Sequence, residues 1–408
     1  MKRTLITNIG MLATPQGTAA RGGRAQGEIC ILKNAWIFIE NDVIAQVGTG
    51  TAPAAADAQT INAGGKLVTP GLVDAHTHLI FGGWRQNELA LKLHGAGYLD
   101  ILAAGGGILS TMRATQSASE EQLEAKASAA LDEMLRFGTT TAEAKSGYGL
   151  STGEECKALR VIGNLQKHHV MDLAATFMGA HAVPEAYRDN RQGYLELLCE
   201  EMLPAVREQG IAEFCDVFCE KGVFSAEESR RILLTGRQHG LRPKIHADEI
   251  EAIGGSELAG EIGAVSAEHL IVCPPSGIAS MAEGGTVACC LPATSFYLGA
   301  AYAPVQDMVQ AGVPVAMATD FNPGSCPCLN MQLVISLGCL RYRLTPEQAL
   351  TAVTLNGAAA ICRADRIGSI EPGKQADILI WNAEDLDYIC YRLGSNLVDT
   401  VIKKGNVV

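Results

Sequence analysis

What most constrains this chain is a recurrence. Eight short apolar runs follow one another: Leu72–His78, Thr139–Lys145, Leu173–His181, Phe214–Glu220, Pro243–Asp248, Ala264–Leu270, Thr286–Leu291 and Val313–Asp320. Most are separated by helix-like segments. Ser119 to Phe137 opens with Ser and Glu residues that cap and complement a helix start, and Gly138 closes it. Ser225 to His239 begins Ser-Ala-Glu-Glu and stops at Gly240 in the same way. Strands that alternate with helices pair in parallel, and eight such units close into a (β/α)8 TIM barrel. The link between the sixth and seventh runs is short and Pro-rich, so its helix is the one the pattern marks least clearly. Thr345–Leu355 reads as a capped helix after the barrel.

The two ends of the chain read differently. Leu5-Ile-Thr7, Cys30-Ile-Leu32, Ala35–Glu40 and Val43–Val47 are β-branched runs broken by polar turns, and Gly368–Trp381 and Val398–Gly405 repeat the pattern. Residues 1–66 and 365–408 are therefore expected to build one small β-sandwich domain beside a barrel spanning 67–364. A chain of 408 residues, 48% hydrophobic, has material for both.

A formal charge of −12 argues against a nucleic-acid partner, which needs a basic face, and against anionic membranes. No apolar run reaches the roughly 20 residues of a membrane span. The basic N-terminus is followed by a run broken at Thr7 and Asn8, which does not suit a signal peptide. Thirteen cysteines, an odd number without framework spacing, fit free thiols in the cytoplasm. Cys289-Cys290 and Cys326-Pro-Cys328 are the close pairs. A homodimer is expected, as for many barrel enzymes.

Catalytic groups in such barrels stand at the C-terminal strand ends. Here those ends carry His76 and His78, Lys145 with Tyr148, His181, Cys219 with Glu220, His246 with Glu249, His269, Thr294, and Asp320 with Asn322. Five of the nine histidines fall there, while His94, His168, His169 and His239 lie in helical or connecting segments. Residues two apart on a strand share a face, so His76 and His78 can meet one ion. Alone, His-x-His is as readily two polar loop residues. With His246 and Asp320 from two other strands it makes an N/O site for one zinc or iron ion. A catalytic metal keeps a position for water and lowers its pKa toward ~7. Asp320 can then accept the water's proton, and His269 can bond a developing oxyanion or shuttle a proton.

The opening Pro70-Gly-Leu-Val-Asp-Ala-His-Thr-His78 and the closing Gly368-Ser-Ile-Glu-Pro-Gly-Lys-Gln-Ala-Asp377 resemble the amidohydrolase superfamily. Within it the chain is similar along its whole length to the imidazolonepropionase family. The segments that carry this are His76–Arg85, Glu143-Ala-Lys-Ser-Gly-Tyr-Gly-Leu150, Phe177–Pro184, His246-Ala-Asp-Glu249 and Thr319–Ser325. The resemblance implies metal-dependent opening of 4-imidazolone-5-propanoate to N-formimidoyl-L-glutamate, a step of histidine degradation. It implies His76, His78, His246 and Asp320 as metal ligands. It also implies Arg85, Tyr148, His181, Glu249, Asn322, Gly324 and Ser325 as substrate contacts. Asp320, His269 and Glu249 are the expected catalytic groups.

The residues suit those roles. A forked guanidinium such as Arg85 grips a carboxylate tail. Tyr148 stands between two glycines, where a loop can approach a ligand closely. Glu249 can accept a ring N–H. Trp84 stands where relatives are expected to carry a smaller residue, and Ser325 where Thr is more common. Lys145 and Lys221 raise the question of a carboxylated lysine bridging a second metal. A purine or pyrimidine deaminase on the same fold is the nearest alternative, but it leaves Arg85 without a purpose. A non-catalytic scaffold is the other, and it has no need of the four ligands present here.

Overall fold

The computed structural model describes residues 2–54, 57–94 and 106–408. The barrel strands are β1 (Leu72–Asp74), β2 (Thr139–Lys145), β3 (Asp172–Ala180), β4 (Phe214–Cys219), β5 (Arg242–Ala247), β6 (Ser266–His269), β7 (Val287–Cys290) and β8 (Val315–Met317). They pair in chain order, each parallel to the next. β8 meets β1 through one isolated parallel bridge between Thr77 and Phe321. There the Asp320 N–H donates to His76 O (3.0 Å) and the His78 N–H to Phe321 O (2.9 Å). The first and last runs thus stop being regular strand before their polar residues, yet their extended backbone continues to the site.

Both faces of these strands are buried, which is why they read as nearly continuous apolar runs. β2 is buried at every position. Its Ala142 and Ala144 join the core beneath the helices, leaving Glu143 and Lys145 for the opposite, inner face. Helices α1 (Glu120–Arg136) and α2 (Ala226–Gln238) begin where expected, each with a complete capping box, Ser119 with Gln122 and Ser225 with Glu228. Each cap is worth about 1 kcal/mol. α1 buries Leu123, Ala127, Leu131 and Met134, one stripe at helical spacing.

The link between β6 and β7 does carry a helix, α3 (Pro275–Gly284). Its prolines sit at the entry, where a missing N–H leaves no bond unmade. The segment after the barrel is two helices, α4 (Pro346–Ala352) and α5 (Leu355–Ala360), broken at Thr354 (φ −128°, ψ −88°).

The two chain ends share one mixed sheet. Arg3–Thr14, Cys30–Glu40, Val43–Thr49, Gln59–Asn62 and Leu67–Pro70 come from one end, and Ile378–Trp381, Val398–Lys403 and Asn406–Val407 from the other. Leu67–Pro70 joins them, parallel to Met11–Leu12 and antiparallel to Ile378–Trp381. Several expected breaks are absent. Cys30–Glu40 runs unbroken through Lys33-Asn34, and Arg3–Thr14 passes Asn8 with a register shift between Ile6 and Ile9. Asn8 and Asn34 take positive φ (54° and 51°), a conformation asparagine tolerates better than other L residues. Asp172, at the start of β3, ties sheet to barrel by accepting from Lys403 Nζ (2.7 Å) and Lys404 Nζ (2.6 Å).

Candidate metal centre and active site

Four imidazoles and a carboxylate converge at the C-terminal mouth. His76, His78 and Asp320 offer ligand atoms that all lie within 4.8 Å of one another, and so do His76, His246 and His269. Asp320 Oδ1 lies 3.5 Å from His76 Nε2 and 3.6 Å from His78 Nε2, and the Nε2 atoms of His78 and His246 are 3.2 Å apart. Thr294 Oγ1 donates to the other Asp320 oxygen at 2.7 Å. All five groups are buried.

Burial holds the His76 and His78 imidazoles far below their usual pKa, helped by Lys145 beside His76 and His181 beside His78. Burial also brings His269 down to about 4, against the attraction of Asp320. Neutral imidazole is the ligating form. His76 Nε2 is buried and makes no hydrogen bond among the described residues. A buried nitrogen without a partner is costly unless something satisfies it, and these donors suit a metal ion.

Behind the ligands lies a layer that strand-end reasoning missed. His76 Nδ1 donates to Glu268 Oε2 (2.8 Å) and His246 Nδ1 to Asp216 Oδ1 (3.1 Å), so each ring turns its Nε2 toward the centre. Two ammonium groups face these carboxylates and a third, Glu143. Lys145 Nζ lies 2.8 Å from Glu143 and 2.7 Å from Asp216, and Lys244 Nζ lies 3.0 Å from Glu143 and 3.4 Å from Glu268. Burial alone would strip these lysines of their protons, but the facing carboxylates outweigh it and raise both pKa values. Lys145 is thus fully engaged as an ammonium, which leaves no amine for a carboxylated bridge. Lys221 instead pairs on the surface with Glu251. The signal was present in sequence: Lys244 precedes His246 by two, and Glu143 precedes Lys145 by two.

The expected substrate contacts line the same mouth. His181 stacks on His78 (4.8 Å between centroids, 19° between planes), and its Nδ1 donates to Gly147 O at 2.9 Å. Tyr148 is 5.1 Å from the His181 ring, and burial raises its pKa, so its O–H stays protonated. Glu249 Oε2 lies 3.6 Å from His269 Nε2, and burial brings its carboxyl up to about 7 against the pull of His246. The turn that carries it is clamped by Glu220, which accepts from the backbone N–H of Ile250 (2.9 Å) and Glu251 (3.1 Å).

Arg85 is anchored by Glu88 and reaches Gly324. Trp84 packs edge-on against Phe81 and Phe321. Asn322 is occupied within its own turn. Its Oδ1 accepts from the backbone N–H of Gly324 (2.8 Å) and Ser325 (2.7 Å), and its Nδ2 donates to Asp320 O (2.7 Å) and Ser325 Oγ (2.8 Å).

Comparison with known proteins agrees with this geometry. The profile described as "Amidohydrolase family" matches residues 67–408. An imidazolonepropionase of Alkaliphilus metalliredigens (strain QYMF) is 50% identical over 414 residues, covering 100% of this chain and 98% of the relative. The chain is an amidohydrolase of the imidazolonepropionase family. A Bacillus cereus (strain G9842) imidazolonepropionase is 48% identical over 410 residues, covering 100% and 97% of the two chains.

Among solved structures, an atrazine chlorohydrolase from Arthrobacter aurescens TC1 complexed with zinc superposes with a TM-score of 0.73 at 17% identity, covering 99% of this chain and 94% of that one. Guanine deaminase of E. coli gives 0.75 at 16%, covering 100% and 99%. These two share the fold. The buried His/Asp cluster is of the kind typical of metal-dependent amidohydrolases.

Proposed function

We propose that this enzyme hydrolyses the ring C–N bond of 4-imidazolone-5-propanoate, giving N-formimidoyl-L-glutamate. The observation that carries this reading is the near-half identity to imidazolonepropionases along the whole chain. The convergent His/His/His/Asp site supports it.

His76, His78, His246 and Asp320 would hold one zinc or iron ion, which when bound supplies Lewis acidity and lowers the pKa of water. Every other task falls to the chain. Asp320, whose second oxygen is held by Thr294 Oγ1 (2.7 Å), takes a proton from the attacking water. His269 donates to the oxygen on which negative charge develops. Glu249, whose carboxyl pKa burial raises, accepts a ring N–H hydrogen bond and relays to the departing nitrogen the proton that Asp320 took from the water, so no proton is left over. Because His181 spends its Nδ1 proton on Gly147, its Nε2 is an acceptor for the imidazolone ring. Tyr148 donates through its O–H, and Arg85 binds the propanoate. Asn322 and Ser325, with the Gly324 backbone, brace the turn that aims Asp320 and border the same mouth.

A cytoplasmic homodimer completes the reading. The odd cysteine count supports the compartment, and the exposed Phe296, Leu340 and Tyr391 support association.

The test is the loss of ultraviolet absorbance of freshly made 4-imidazolone-5-propanoate, with and without prior chelation. Turnover that chelation removes and metal restores, and that Asp320→Asn abolishes in a folded protein, supports the proposal. Folded, metal-loaded protein that leaves the imidazolone intact but deaminates a purine or pyrimidine would overturn it.

A further inference from the structure

Arg85 is not a free hand. Its Nε donates to Glu88 Oε1 (2.9 Å) and its Nη2 to Glu88 Oε2 (2.8 Å), a two-point grip along one edge of the guanidinium. Glu88 is itself held, since Oε1 also accepts from the Gly107 N–H at 2.7 Å. Its carboxylate is only 2% exposed. A charge so buried stays where its partners are.

On the far side the guanidinium meets Gly324. A Cβ added there would fall 2.1 Å from Arg85 Nη1 and 2.9 Å from Cζ. The missing side chain is therefore the space the guanidinium occupies. With the Nε/Nη2 edge taken by Glu88, the Nη1/Nη2 edge is, among the described residues, the pair of donors that can face a ligand carboxylate.

We infer that Glu88 is a specificity-determining residue: it locks Arg85 in one register against Gly324 and so fixes which length of acidic tail fits between guanidinium and metal centre. This rests on the reading that Arg85 binds the substrate's carboxylate. Two effects of Glu88 oppose each other. Its charge offsets that of Arg85, which weakens the pull on the tail. Its grip also removes rotamer freedom from a long side chain and forbids a second binding edge. With both oxygens bonded to the guanidinium, the positioning effect outweighs the charge offset, and loss of Glu88 weakens binding.

The experiment compares 4-imidazolone-5-propanoate with its acetate and butanoate homologues on wild type, Glu88→Ala, Glu88→Gln, Gly324→Ala, Arg85→Ala and the Arg85→Ala/Glu88→Ala double variant. Melting curves confirm folding, and Glu88→Gln preserves volume should the alanine variant fail to fold.

The expected result for Glu88→Ala and Glu88→Gln is a KM for the propanoate raised about tenfold or more, with kcat within about threefold of wild type. Preference for the propanoate over its homologues shrinks about tenfold, the scale of one methylene. Gly324→Ala moves KM the same way, and Glu88→Ala adds nothing once Arg85 is absent. Wild-type KM and tail preference in the Glu88 variants, with KM raised in Arg85→Ala, would overturn the role of Glu88 and leave Arg85 as the carboxylate binder. An unchanged KM in Arg85→Ala would overturn both, and would show that the failure lies in the assignment of Arg85.

Discussion

Glu268→Gln changes one atom and asks whether the buried carboxylate sets the state of a metal ligand. In the structure Glu268 Oε2 accepts from His76 Nδ1 at 2.8 Å, while Oε1 faces Lys244 Nζ at 3.4 Å and accepts from Ser266 Oγ. A glutamine must choose. If its NH2 faces His76, Nδ1 must become an acceptor, and the imidazole proton moves to Nε2, the atom aimed at the metal. If its NH2 faces Lys244, a buried ammonium loses one of its anions and gains a facing donor.

Either choice weakens the site. Loss of such a supporting partner reduces metal affinity about 10- to 100-fold, or about 1.4–2.8 kcal/mol. Competition with a chromophoric chelator on metal-stripped protein measures the dissociation constant directly. A constant within about threefold of wild type would refute the claim that Glu268 orients His76.

Other outcomes follow from the same geometry. Lys244→Met leaves Glu143 and Glu268 buried with one cation fewer and should lower stability by about 3–5 kcal/mol in urea titrations; a loss below about 1 kcal/mol would mean Lys145 alone balances them. At Asp172, burial alone would raise the pKa, but Lys403 and the hydrogen bonds from Lys403, Lys404 and Gln375 bring it down to about 2. A depressed carboxylate stabilises the fold above about pH 4, and that contribution is lost as pH falls through 2. Asp172→Asn should therefore cost about 1 kcal/mol at pH 7, a figure reduced for a side chain 36% exposed, and the gap to wild type should close near pH 2. Metal readdition at a hundred times its dissociation constant should stabilise stripped protein by about 2.7 kcal/mol in melting curves, and no shift would separate the ion from the fold.

The strands and the convergence of the candidate ligands were legible in the sequence for the same reason. A barrel strand buried on both faces is apolar until it reaches the mouth, so the first histidine or aspartate at its end stands out. Glu143, Asp216, Lys244 and Glu268 were illegible on that logic because they lie inside the strands, where a charge looks like an interruption. Only the three-dimensional pairing of Lys145 with Asp216 and of Lys244 with Glu143 shows that two ammonium groups offset most of the charge of three carboxylates in the barrel interior. The peripheral sheet was harder to bound. Asn8 and Asn34 look like turn residues, and their positive φ is real, but neighbouring hydrogen bonds carry the strands past them. Prolines blurred the helix between β6 and β7, since those at the head of α3 start it where a proline within a helix would break it.

The closure between β8 and β1 gives the site a second meaning. Among the described residues one backbone bridge, Thr77–Phe321, joins the two, backed by the Asp74 carboxylate accepting from the Thr319 N–H (3.0 Å) and Oγ1 (2.6 Å), and His76 and His78 stand on one side of that seam with Asp320 on the other. An ion held by all three is a rivet through the place where the cylinder is least well stitched. Hydrogen exchange at the His78 and Asp320 amides should quicken when metal is removed, while the well-laddered β2 and β3 stay protected. A cell starved of metal would then hold this protein as a cylinder whose wall loosens first at that join, and limited proteolysis of stripped protein would show it by where the wall is first cut.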